Sequence, residues 1–363
     1  MMNPILQEDL KYIYESLDTK EKSMFNRSTI LVTGCAGFLG YTILQFFSNY
    51  LDTLNIKRII GLDNFIVRKP AWLAELGGQS GQILQTYQFD ISKDKLTDVK
   101  AIKKVDFIIH MASIASPCFY RKHSIETIDA NVWGLRRLLD FYADSNLKGF
   151  LFFSSSEIYG DPHPDFIPTP ENYFGNVSCN GPRACYDEAK RFGETLCYVY
   201  WYQRSMPIVI VRPFNNFGPG LDIEDRRLPA DFAKAVLENK DIVILSDGTP
   251  TRTFCYVADA VSGYIKALCH GRFDYFNIGT DNPEISVVQF AEIYKTIAGK
   301  LFNYAKDIVY KRPDEDDYLA HNPQRRCPNI NKAKRILNYS PKIVVNEGVE
   351  RYLNFLKLER EKR

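Results

Sequence analysis

The sequence predicts an α/β protein: a doubly wound parallel sheet with a smaller C-terminal lobe interleaved with it. Three observations carry this. Four β-α repeats succeed one another after residue 28, the first ends in a turn holding three glycines, and 363 residues leave room for a large core plus an appended region. At 45% hydrophobic and 25% charged residues, the composition is that of an ordinary globular protein.

The charge balance narrows the partners. Forty-six basic and 44 acidic residues give a net charge of +2, without the broad footprint that nucleic acid or an anionic membrane requires. Small anionic ligands remain open. The first twenty residues carry Glu8, Asp9, Glu15 and Asp18 and lack a long apolar run, so neither a signal peptide nor a membrane span is expected and a cytoplasmic location is. The eight cysteines show no Cys-x-x-Cys pair and no ligand-like clustering with the five histidines, so reduced thiols and no metal site are expected.

Residues 1–27 form an extension whose segment 5–22 suits a short helix outside the main fold. Residues 28–211 carry most of the sheet, 212–357 most of the second lobe, and 358–363 are a charged tail. Thr29–Thr33 is a short β-rich run, followed by Gly34-Cys35-Ala36-Gly37-Phe38-Leu39-Gly40 and a helical stretch through Tyr50. In such a unit the first glycine permits the tight turn, the second lets backbone approach a pyrophosphate, and the third lets helix pack closely on strand.

The next strand, 58–62, ends at Asp63, where an acid bonds the hydroxyls of an adenosine ribose. A carboxylate there favours NAD over NADP, whose extra phosphate it repels; Arg68 is the nearby cation in sequence. Segment 65–81, with Gly77, Gly78 and Gly81, is expected as a loop or broken helix, and strand 82–88 leads to Asp90 and Ile91. Asp90 suits an adenine contact and a helix cap equally. Strand 105–109 closes on the small residues of 110–117, which let a cofactor lie close to the backbone. Ile128, Val132, Leu135, Leu138 and Leu139 predict one long helix over 124–144. Strand 149–153 then ends in Ser154-Ser155-Ser156-Glu157.

Tyr186 and Lys190 stand at i, i+4, on one face of a helix, where the ammonium lowers the phenol's pKa and fits it to take a proton from an alcohol. Beyond strand 207–211, helices over 228–238, 259–269 and 286–298 with strands at 241–245 and 275–278 are expected to make the smaller lobe.

Taken together, Gly34 to Gly40, Asp63, Ser155, Tyr186 and Lys190 resemble the extended short-chain dehydrogenase/reductase superfamily, whose members rework nucleotide sugars with bound NAD on a Rossmann-type sheet. Within it, Gly-Pro-Arg-Ala-Cys-Tyr-Asp-Glu-Ala-Lys-Arg at 181–191 resembles the UDP-glucuronate decarboxylase family. So do Ser-Glu-Ile-Tyr-Gly-Asp-Pro at 156–162, Phe-Asn-Asn-Phe-Gly-Pro at 214–219 and Thr-Arg-Thr-Phe-Cys-Tyr-Val at 251–257; the likeness spans about residues 28–357.

The resemblance implies a cofactor site of Gly34, Gly37, Phe38, Leu39, Gly40, Asp63, Asn64, Asp90, Ile91, Ala112, Tyr186 and Lys190. It implies catalysis by Ser155, Glu157, Tyr186, Lys190 and Arg252, with Tyr186 taking the proton of the sugar 4-hydroxyl. Ser156, Asn215, Arg227, Arg252, Tyr256 and Arg326 are its implied substrate contacts, Asn215 and Arg227 at the diphosphate of a nucleotide sugar, UDP-linked by the pattern. Glu157 stands beside the sugar C5 and C6, organising water or repelling the carboxylate. A homodimer through helices at 122–145 and 183–204 is implied as well.

Neighbouring activities on such a site are 4-epimerisation and 4,6-dehydration; a non-catalytic NAD- or sugar-binding protein is the third reading. Ser156 stands where dehydratases carry an Asp acid, which favours decarboxylation over dehydration. Two departures from the decarboxylase pattern stand out: Leu228-Pro229 beside the base, and segment 311–328 with its acidic run Asp314-Glu315-Asp316-Asp317, expected as a solvated loop.

Overall fold

A computed structural model describes residues 2–313 and 321–362, so the acidic run at 314–317 lies outside the described residues. Six strands, β1 (Thr29–Thr33), β2 (Arg58–Asp63), β3 (Leu84–Gln88), β4 (Phe107–His110), β5 (Gly149–Phe153) and β6 (Ile208–Pro213), pair in parallel. Strand Asp274–Ile278 adds to β6, also in parallel, giving the order Asp274–Ile278, β6, β5, β4, β1, β2, β3. The chain reverses its direction of travel across the sheet between β1 and β4, and the carboxyl ends there form the crevice expected of a doubly wound sheet. β1, β4 and β5 are buried along their whole length, as a sheet covered on both faces requires.

Strand Asp274–Ile278 corrects one expectation, for it completes the main sheet instead of the small lobe. Helix Val257–Leu268, buried along its length, packs against β5 and β6 for the same reason. The lobe proper comprises helices Leu228–Leu237 and Val287–Phe302, with a three-stranded patch in which Thr251–Arg252 lies between Ile285–Ser286 and Arg325–Arg326.

The extension is also not outside the fold. Helix α1 (Pro4–Ser16) is capped by Asn3, whose side chain accepts from the Ile5 N–H at 3.1 Å, and α2 (Thr19–Met24) by a reciprocal Asp18–Glu21 box. Leu6, Leu10, Ile13 and Leu17 recur at helical spacing and sink into the main core with Phe25, Phe46 and Phe47. At the far end, Asn3 Nδ2 donates to the Phe355 carbonyl at 3.2 Å, and Arg351 Nη1 to Asp9 at 2.9 Å, both on helix Val345–Glu361.

The predicted long helix after β4 is interrupted. It runs Ser124–Ile128, passes through a π-helical turn at Asp129–Gly134, and resumes at Leu135–Tyr142. The wide turn carries Asn131, whose Nδ2 donates to the Thr127 carbonyl at 2.8 Å and to Ser113 at 3.0 Å, so the helix is tied to the strand-end loop lining the crevice. Segment 65–81 holds a short helix, Ala71–Gln79.

Candidate active site

The crevice opens into a cavity of about 540 Å³ running from the glycine turn to the small lobe. Its first wall is the turn between β1 and α3 (Phe38–Asn49). Gly34 has φ +69°, and a Cβ there meets the Ala112 nitrogen at 2.7 Å; a Cβ at Gly40 meets the Cys35 carbonyl oxygen at 2.3 Å. Both positions admit only glycine. Gly37 is different, since a Cβ there meets nothing closer than 3.4 Å, so its missing side chain serves the open face of the turn. That face presents the start of α3, which has no side-chain cap, and Gly37, Phe38, Leu39 and Gly40 line the cavity. An uncapped helix start behind a bare glycine fits a pyrophosphate.

Asp63 accepts from the Ala36 N–H at 2.9 Å and the Phe65 N–H at 2.8 Å. Burial raises its pKa, and these two bonds oppose the rise. Each oxygen retains a lone pair for a ribose hydroxyl. Arg68, the nearest cation in sequence, pairs with Asp222, and among the described residues no ion pair to Asp63 is formed. Asp90 closes an Asx turn onto Ser92, accepting from its N–H at 2.9 Å and hydroxyl at 2.6 Å, while Asn64 Nδ2 lies 3.4 Å from its other oxygen. Asp90 thus closes a turn and caps no helix, and it lines the cavity with Ile91 and Ala112. The residues present fit NAD.

Tyr186 and Lys190 come from helix Ala184–Arg204, which lies against the end of β5. The ammonium–phenol pairing predicted from their spacing is not what the structure shows. Lys190 Nζ donates to the Phe153 carbonyl at 2.6 Å and sits 5.7 Å from the Tyr186 ring centre. Burial pulls the Lys190 pKa down to about 7, and burial pushes the Tyr186 phenol up to about 12. The hydrogen bond with Ser155 moves the phenol downward, while Glu157 and Asp187 move it up. Tyr120 stacks on Tyr186 with ring centres 5.1 Å apart and fixes its plane.

Beyond them lies a buried charge cluster. Glu157 accepts from Arg326 at 2.6 and 2.5 Å and also pairs with Arg183. Burial raises its carboxyl, but the two guanidiniums outweigh that and hold it at about 2. Arg183 also lies 3.5 Å from Asp187, whose carboxyl burial lifts to about 7. Arg252 sits next to Arg326 because their strands run side by side, with residue 252 in register with 326. Its guanidinium donates only to carbonyls, those of Thr251 at 2.7 Å, Pro323 at 2.6 Å and Gln324 at 3.1 Å. Burial and the Arg326 charge lower its pKa to about 9, so it remains a cation at neutral pH. Among the described residues no carboxylate pairs with it.

Ser155, Ser156, Glu157, Asn215, Arg227, Arg252 and Arg326 all line the cavity with Tyr186 and Lys190. Asn215 Nδ2 donates to the Thr253 carbonyl at 2.9 Å, and Arg227 pairs with Asp225. Tyr256 is the exception. It is fully buried, its hydroxyl donates to Asp9 at 2.6 Å, and it does not reach the cavity, so the substrate role assigned from its motif is withdrawn. Arg183, Asp187 and Tyr120 were missed; Arg183 and Asp187 stand inside the 181–191 motif, and only their i, i+4 spacing marked them as a pair.

A dinucleotide crevice with serine, tyrosine and lysine gathered at its strand ends defines an extended short-chain dehydrogenase/reductase. The NAD dependent epimerase/dehydratase family model matches residues 30–279, and the chain belongs to that family, with NAD as its cofactor. It is 35% identical over 324 residues to UDP-glucuronic acid decarboxylase 3 of Arabidopsis thaliana, covering 88% of this chain and 86% of that one. It is 33% identical to UDP-glucuronic acid decarboxylase 1 of Xenopus tropicalis, over 93% of this chain and 74% of the other. Among solved structures, UDP-glucuronic acid 4-epimerase from Bacillus cereus, in complex with UDP-glucuronic acid and NAD, superposes with TM-score 0.73 at 26% identity, covering 91% of this chain and 99% of that chain. UDP-glucose 4-epimerase from Thermotoga maritima gives 0.77 at 25%, with 92% and 99% covered.

Proposed function

We propose that this chain decarboxylates a nucleotide-linked uronic acid, of the UDP-glucuronate to UDP-xylose type, through a 4-keto intermediate. The observation that carries this reading is Arg252, a buried guanidinium without an acidic partner among the described residues, placed beside two arginines already neutralising Glu157. A uronate carboxylate completes that arrangement through a forked pair.

Ser155 and Tyr186 share the sugar 4-hydroxyl, and Tyr186 takes its proton as C4 is oxidised. NAD, when bound, accepts the hydride from C4 and later returns it. Oxidation leaves the ketone β to the C6 carboxylate, so carbon dioxide departs with its electron pair delocalised onto O4, where Ser155 and Tyr186 stand. Protonation at C5 and return to the alcohol give the pentose without net redox change. Lys190 is assigned to the nicotinamide ribose, and Asn215 with Arg227 to the diphosphate. With two guanidiniums on Glu157, repulsion of the substrate carboxylate is largely cancelled. Glu157 is therefore assigned to holding Arg183 and Arg326 in place.

Incubation with NAD and UDP-glucuronate is expected to yield a product lighter by carbon dioxide. An unchanged mass in a new sugar indicates 4-epimerisation, and loss of water dehydration; either outcome, or no turnover while NAD is bound, rejects the decarboxylase. Residues 28–211 are taken as mainly the cofactor domain, with Val257–Leu268 and Asp274–Ile278 joined to it, and the rest of 212–357 as mainly the substrate lobe. A cytoplasmic setting belongs to the same proposal, since all eight cysteines are free thiols. No helix among the described residues is long and apolar enough to cross a membrane.

A homodimer is the proposed assembly. The segment around Ser124–Gly134 packs beside helix Ala184–Arg204, and together they expose Ile125, Trp133, Phe192, Tyr198 and Tyr202, the last at 72%. A second copy of this face buries it in a four-helix arrangement. Trp133→Glu with Tyr202→Glu is expected to convert a dimer to a monomer in sedimentation velocity; a wild-type monomer at the same concentration rejects the assembly.

A further inference from the structure

Past Arg227 the cavity ends in a region that the chemistry at C4 and C6 does not use. Leu228, Pro229 and Asp231 line it from the first turn of helix Leu228–Leu237, and Val243 and Leu245 from strand Ile242–Ile244 and the residue after it, on which that helix packs. In a nucleotide sugar the order is sugar, diphosphate, ribose, base. With the sugar at Tyr186 and the diphosphate at Arg227, the base falls at this end. This step rests on the nucleotide-sugar reading above.

The polar groups offered there are unusual in one respect. Proline has no N–H, and the N–H groups of Ala230 and Asp231 are spent on the Arg227 carbonyl at 2.9 and 3.0 Å. Positions 229–231 therefore offer a base no backbone donor. Beside the Ser246 hydroxyl on the facing loop, the polar side chain that this helix turn presents is Asp231, its carboxylate 31% exposed, with Arg226 Nε 4.0 Å away and no hydrogen-bond donor on it among the described residues. The walls from Leu228, Pro229, Val243 and Leu245 are apolar, so a ligand edge facing Asp231 has to bring a donor of its own.

We propose that Asp231 selects the nucleobase, accepting the ring N3–H of a 2,4-dioxopyrimidine such as uracil and rejecting cytosine, whose N3 is itself an acceptor. Two facing acceptors leave both unpaired beside a carboxylate that is only 31% exposed, a loss of about tenfold in affinity. Asparagine reverses this, because an amide accepts from uracil N3–H through its oxygen or donates to cytosine N3 through its nitrogen.

The test is calorimetric titration of the NAD-loaded protein with UDP, CDP and GDP. Wild type is expected to bind UDP at least about tenfold more tightly than CDP, and Asp231→Asn to bring the two within about threefold of each other. Asp231→Leu is expected to weaken UDP and CDP alike. A UDP to CDP ratio unmoved in Asp231→Asn, with UDP still bound and the melting temperature kept, overturns the role of Asp231. GDP binding as tightly as UDP overturns the pyrimidine assignment, since guanine also carries a ring N–H. If wild type binds none of the three, the nucleotide-sugar reading itself fails, which the unmoved ratio does not imply.

Discussion

Tyr186→Phe is expected to lower turnover of UDP-glucuronate by about 10²- to 10⁴-fold, the range for removing a general base, while UDP binding stays within about twofold of wild type. Steady-state kinetics and calorimetry on the same preparation check both halves. Near-normal turnover in this variant removes Tyr186 from the reaction. Only the hydroxyl is lost, so the ring stack on Tyr120 survives and the fold is not in question. The phenol stands at about 12 in the chain alone, chiefly because it is buried and because Glu157 and Asp187 lie near it. Neither Lys190, drawn off to the Phe153 carbonyl, nor the helix spacing makes it acidic. Proton uptake near neutral pH therefore depends on the filled site, where Tyr186 and Ser155 would hold the substrate hydroxyl and bound NAD would supply a positive charge that favours the phenolate.

The second large effect is expected at Arg252. Arg252→Ala removes the cation assigned to the uronate, and breaking a buried ion pair costs about 3–5 kcal/mol, or about 10²- to 4 × 10³-fold in affinity. KM for UDP-glucuronate is expected to rise by that factor. Binding of UDP-glucose, which has no carboxylate, is expected to change by less than about threefold and reports that the site is still folded. Equal losses for both ligands count against carboxylate recognition and point to the carbonyls of Thr251, Pro323 and Gln324 left without donors. Arg252→Lys keeps the charge but loses the fork, so it is expected to fall between the two.

What the sequence disclosed was chemistry that depends on local spacing. The glycine turn, Asp63 at the end of β2, and the serines at the end of β5 follow from strand and turn periodicity, and the cavity gathers them. Pairings across the chain were hidden. Arg326 meets Glu157 over a separation of 169 residues, and does so because a two-residue strand sits in register beside Arg252. No periodicity announces that. Tyr256 was misplaced because it is close in sequence to Arg252, whereas its strand Cys255–Tyr256 pairs with Asn216–Phe217 and sends the ring toward α1. The π-helical turn was invisible for another reason: the apolar spacing of 124–144 suits a continuous helix, and the interruption answers to Ser113 on a distant loop. The apolar face of α1 was plain, but nothing in its own residues identified the surface that receives it.

That reception bears on how the molecule is made. The first helix of the chain is fastened to the last, through Asn3 on Phe355 and Asp9 on Arg351. During synthesis α1 can meet α3 as soon as Phe38–Asn49 has emerged, but Arg351 and Phe355 follow only more than three hundred residues after α1. At about 5–20 residues per second, Asn3 and Asp9 stay without these two partners for tens of seconds. The growing chain can assemble β1 to β6 in that interval, yet the layer over α3 closes only when helix Val345–Glu361 arrives.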